Sequence, residues 1–190
     1  MKRYIMMVML FALVGLKASA QRYFKGQIGV EVRGGLANGY FFGKDQEKTF
    51  YGGVAVNRYT AISSRWVFGG EFYHKSYTYG ESPIRLAQFT GEVGHYFPLI
   101  SDNKKNIVVS GGFSAIGGLE RLNWGRHDLY DGGVLLNDDQ FIYGGAATLE
   151  VEFFLNDRLI LLLQGRERLL IKAVDQFNNQ IGIGVKYMIK

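Results

Sequence analysis

The chain has 190 residues, 47% of them hydrophobic and 15% aromatic, with 26 Gly, 2 Pro and no Cys. The missing cysteine excludes a disulfide-stapled scaffold and a lipid-anchored lipoprotein, and the aromatic content excludes a disordered stalk. The formal net charge of +5 drops to +2 once Lys2, Arg3 and Lys17 of residues 1–20 are set aside, which is weak support for nucleic-acid binding.

Residues 1–20 read as a secretory signal peptide. Lys2 and Arg3 form its positive start, Tyr4 to Leu16 its apolar run, and Ala18-Ser19-Ala20 the small-x-small cleavage site before Gln21. The run is shorter than the roughly 20 apolar residues that a spanning helix needs. A retained amphipathic anchor is the alternative, but the segment has no acidic residue and no polar face. The expected organisation is therefore a cleaved peptide over 1–20 and a single domain over 21–190.

Eight strand-like segments follow. The first is 27–37, with Ile28, Val30, Val32 and Leu36 on one parity. The second is 49–61, with Phe50, Val54 and Val56. In the third, 65–79, Trp66, Phe68 and Phe72 alternate with Val67, Glu71, Tyr73 and Lys75. In the fourth, 84–97, Phe89 and Val93 alternate with Gln88, Thr90 and Glu92. The fifth, 106–122, sets Ile107, Val109 and Phe113 against Ser110 and Ser114. The sixth, 140–155, sets Phe141, Tyr143, Leu149, Val151 and Phe153 against Thr148, Glu150 and Glu152. The seventh is 159–171, where Leu159 to Leu163 is apolar at every position and fits a helix as well as a strand by pattern alone. The eighth, 180–189, sets Ile181, Ile183, Val185 and Tyr187 against Gly182, Gly184 and Lys186. A period of two is the strand signature.

The connections alternate in length. Those at 63–64, 101–105 and 156–158 are short; those at 37–48, 79–83, 123–139 and 172–179 are mostly longer and polar. This arrangement predicts an all-β fold, an eight-stranded antiparallel up-and-down β-barrel of outer-membrane type, with its apolar parity toward lipid. Closure satisfies every backbone donor and acceptor within the bilayer. A soluble β-sandwich, with the faces reversed, is the competing reading. Eight strands enclose only enough room for side chains, so the polar parity predicts a filled interior and no path for DNA.

The inner parity holds a candidate charge network: Glu150 and Glu152 in the sixth segment, Arg166 and Arg168 in the seventh, with Glu71 and Glu92 sharing the inner parity of theirs. Placing all four charges of segments six and seven inside requires an odd-numbered turn, such as Asn156-Asp157-Arg158, because a one-residue slip flips every side chain. The expected pairing is between these neighbouring strands, directly or diagonally.

Catalytic signals are thin. His74, His95 and His127 are separate and not at metal-ligand spacing, and no Gly-x-Ser-x-Gly or phosphate-binding loop is present. His127-Asp128 with Asp138-Asp139 in one connection is the only hint of a proteolytic or lipid-modifying barrel; Asp residues in a solvated turn explain it more simply. No cofactor or metal is expected.

Several stretches resemble the TraO proteins of conjugative transposons in Bacteroides-type bacteria. They are Gly118-Leu119-Glu120-Arg121-Leu122-Asn123-Trp124-Gly125, Phe141-Ile142-Tyr143-Gly144-Gly145-Ala146, Leu149-Glu150-Val151-Glu152, Asn156-Asp157-Arg158, Arg166-Glu167-Arg168-Leu169-Leu170 and the carboxy-terminal 180–190. The amino half is similar more loosely, through the signal peptide and Arg33-Gly34-Gly35. The resemblance implies an exported, outer-envelope component of a conjugative, type IV secretion-like apparatus, with other apparatus proteins and outer-membrane lipid as partners. It brings no catalytic residues.

Overall fold

The computed structural model describes residues 24–38, 49–60, 64–79, 82–102, 104–123 and 139–189. The expected signal peptide lies outside the described residues. Eight strands follow in chain order: β1 (Ile28–Ala37), β2 (Thr49–Tyr59), β3 (Arg65–Tyr79), β4 (Ser82–Ser101), β5 (Ile107–Leu122), β6 (Gln140–Phe154), β7 (Leu159–Ile171) and β8 (Phe177–Met188). Each pairs antiparallel with the next, and β8 pairs with β1 to close the barrel.

The register defines the shape. A circuit from Ile28 runs through its successive partners Arg58, Trp66, His95, Phe113, Ala147, Glu167 and Asn179. It returns to β1 at Asn38, whose amide donates to the Asn179 carbonyl, ten positions beyond its start. Such a stagger in eight strands goes with a tilt of roughly 40° to the barrel axis.

Period-two patterning determines which face is which. Val32, Phe113, Leu149, Phe177 and Ile183 are all more than half exposed on the outer wall. The alternate positions point inward and are buried. Leu159 to Leu163 is strand, not helix: Ile160 and Leu162 are buried, while Leu161 and Leu163 face out. The continuous apolar run arises because the lumen is apolar at that end.

Several boundaries differ from the periodic reading. β4 continues past Pro98 to Ser101: Pro98 pairs with Ser110 and Ile100 with Val109, so a bulge leaves Leu99 outside the register. β8 begins at Phe177, because Asn178 already pairs with Arg168. The β3–β4 connection is short, with Tyr79 pairing Ser82. The β6–β7 turn is as the composition suggests. Leu155 and Leu159 still bond, leaving Asn156-Asp157-Arg158 as an odd turn. The Asn156 side-chain oxygen accepts from the amides of Arg158 and Leu159, both at 2.8 Å. Glycine allows close strand approach at Gly118, where a Cβ would collide with the Phe89 carbonyl, and at Gly144, where it would meet that of Leu169.

Candidate functional site

The lumen is layered. At the end carrying the short turns, Tyr59, Val108, Phe154, Ile160, Leu162 and Met188 form an apolar plug. At the opposite end lie two further apolar clusters: Ala37, Tyr51, Tyr73 and Leu86, and then Ile116, Ile142, Ala146, Leu170 and Ala173. Between them stands a column of ionisable side chains, all of them buried. Its carboxylates are Glu31, Glu71, Glu92, Glu150 and Glu152, and its cations are Arg33, Arg65, Arg166, Arg168 and Lys186.

The column has two knots joined by one bridge. Nearer the short turns, Arg65 binds Glu150 and lies 3.5 Å from Glu152. Lys186 reaches Glu152 at 2.6 Å, Glu150 at 3.4 Å and Glu31 at 3.6 Å. Glu31 then meets Arg33 at 3.1 Å, which carries the chain of contacts upward. In the second knot Arg33 and Arg166 both bind Glu92. Glu71 lies 3.3 Å from Arg166, 2.9 Å from Arg168 and 3.7 Å from Arg33.

Neutral groups complete the coordination. Asn57 donates to Glu31 at 2.9 Å and accepts from Arg65 Nε at 2.9 Å; Gln180 donates to Glu71 at 2.8 Å. The Arg65 guanidinium lies 5.0 Å from the Tyr96 ring centre, and Arg168 6.0 Å from that of Tyr73. Equal numbers of each sign make the column neutral as a whole, the arrangement that lets charge exist away from water.

Beside the upper apolar clusters, Lys75 and Tyr77 both donate to Asp175 at 2.8 Å. Glu120 accepts from Gln88 at 2.7 Å and from the Val174 amide at 3.0 Å. Among the described residues no group of three His, Cys, Asp or Glu side chains is placed to hold a metal ion. His127, Asp128 and Asp138 lie outside the described residues; Asp139 pairs with Arg121 at 3.0 Å.

A model of the family described as conjugative transposon protein TraO matches residues 24–189, nearly the whole chain. The chain belongs to the TraO family. A comparison with curated proteins finds no match. Among solved structures, the TraO-family chain is similar to the outer membrane protein OprG from Pseudomonas aeruginosa, at 10% identity and a TM-score of 0.53 over 89% of this chain and 99% of that one. It is also similar to Ail, the attachment invasion locus protein of Yersinia pestis, at 12% identity and 0.51 over 87% and 100%. Neisserial surface protein A follows at 17% and 0.50 over 86% and 97%. At these identities the likeness establishes the outer-membrane barrel fold and nothing about activity.

The TraO-family fold brings Glu71, Glu92, Arg166 and Arg168 into one knot, and Glu150 and Glu152 into the other. The expected pairing of Glu150 and Glu152 with Arg166 and Arg168 gives way to this. Arg166 lies opposite Thr148, and Arg168 opposite Ala146, so the long guanidinium groups reach across the narrow lumen to β3 and β4. Sequence reasoning missed Glu31, Arg33, Arg65 and Lys186 as members. The signal was present: each lies on the inner parity of its strand, opposite the apolar one.

Proposed function

We propose that this TraO-family protein is a structural component of a conjugative DNA-transfer apparatus in the outer envelope, acting through protein–protein contacts and not as an enzyme or a conduit. The observation that carries the reading is the neutral, fully buried charge column between apolar plugs in a closed barrel. A lumen filled in this way holds its wall rigid and has no room for a DNA strand. Family membership supplies the process, and the barrel fold with an apolar outer wall supports insertion in the outer membrane after export through a cleaved signal peptide.

The column's role in this reading is structural. Its charges neutralise one another, which leaves no uncompensated ion to serve as an acid, a base or a binding group. The test is an in-frame deletion of the coding sequence in a donor strain carrying the element, complemented by wild type or by a His127→Ala, Asp128→Ala double variant. The reading expects mating frequency to collapse on deletion and to return with either copy, and a tagged wild-type protein to co-purify with apparatus subunits from the outer membrane. Transfer unchanged by deletion would contradict a role in conjugation. Rescue by wild type alone would point to chemistry at His127 and Asp128.

A further inference from the structure

Among the described residues, the outer wall carries one carboxylate where the pattern calls for an apolar residue. Glu167 has the outward parity of β7, between Leu161, Leu163 and Gly165 on one side and Leu169 and Ile171 on the other. It is exposed, and no cation pairs with it among the described residues. Its partner is Asn179 on β8, directly opposite and also outward; with the side-chain amide turned so that its nitrogen faces the carboxylate, Asn179 donates to both Glu167 oxygens. A carboxylate within an apolar band is unfavourable in lipid, and such residues mark functional contacts by default.

The pair borders a groove in the wall. Gly165 and Ala147 lie in its floor, and Phe113, Leu149 and Ile181 among its walls. A Cβ at Gly165 would meet nothing within 4 Å, so the floor is open and packing within the barrel does not require glycine there. Glu167, Asn179, the small floor and the apolar walls together describe a seat for an apolar segment that brings a positive charge.

The described strands of a second copy do not supply that charge. Copies in one membrane share orientation and depth, and the outward cations of the described strands sit near strand ends: Arg58 beside the end of β2, Arg85 and Arg121 near the long-loop ends of β4 and β5. Deepening the proposed role in the apparatus, and resting on it, we propose that the Glu167–Asn179 groove seats a membrane-embedded segment of a different apparatus protein, whose Lys or Arg pairs with Glu167. A charge-assisted bond in this low-dielectric setting orients the partner, and the small floor allows close approach.

The experiment places a photo-crosslinking residue at Ala147 in full-length protein, in donor cells carrying the element, and maps the adduct by mass spectrometry. A matching residue at Val54, on the far wall, serves as control. The expected adduct from Ala147 joins a Lys- or Arg-bearing membrane segment of another apparatus protein, and its yield falls by about tenfold or more with Glu167→Leu or Gly165→Leu. Both substitutions face outward and should leave heat-modifiable migration intact, which separates lost docking from lost folding. Adducts only to lipid or to a second copy would overturn the proposal, as would a yield indifferent to both substitutions in folded protein. Co-purification of apparatus subunits with these variants, undiminished, would sink the groove while leaving the wider role standing. Failure of wild type to co-purify with any would remove the role itself.

Discussion

Arg166 shows how much one inner side chain carries. It joins β7 to β3 and β4 through Glu71 and Glu92, and is almost wholly enclosed. Truncation to Ala leaves two buried carboxylates short of a partner, although Arg33 and Arg168 still serve them, so the expected loss is roughly 3 kcal/mol. Unfolding of refolded protein in detergent, followed by heat-modifiable migration, measures it. Adding Glu92→Gln to Arg166→Met should recover part of the loss, because the pair is then neutral. A fully stable Arg166→Ala protein that fails to assemble would instead make Arg166 an interface residue. That these residues face inward was legible from parity and from the cost of Arg in lipid. Which carboxylate each one meets was not, because pairing across the lumen depends on the stagger of the barrel, and no single strand records it.

The strands themselves were the most legible feature, since each repeats its apolar residues with period two over ten residues or more. Boundaries failed where local chemistry overrides the pattern, as at the bulge after Pro98 and at the outer end of β8. Leu159 to Leu163 was ambiguous because both faces of β7 are apolar there, one toward lipid and one into the Tyr59–Met188 plug. β8 carries the closure: Tyr187 pairs with both Leu159 and Val30, and Met188 contributes to the plug. Deleting residues 187–190 removes these pairings and leaves backbone of β1 and β7 unsatisfied in lipid. The deletion is expected to abolish stable insertion, read as loss of the heat-modifiable form from the outer-membrane fraction. Normal insertion of the truncated chain would count against a barrel closed by β8.

On the scale of the whole molecule, one orientation decides the rest: apolar wall to lipid, charged column enclosed. A soluble sheet protein with the same alternation would bury the wall and wet the charges, yet Glu152, Arg65 and Lys186 are wholly buried while Ile183 is 65% exposed. The native chain has no cysteine, so single-cysteine variants at Leu161, Leu163, Ile181 and Ile183 give unique sites for a nitroxide label in protein refolded into bilayers. The account predicts that dissolved oxygen, which partitions into lipid, relaxes all four labels strongly, while a water-soluble nickel chelate does not reach them. Ready relaxation by the chelate at these positions would mean that the wall faces water, and would contradict the membrane barrel.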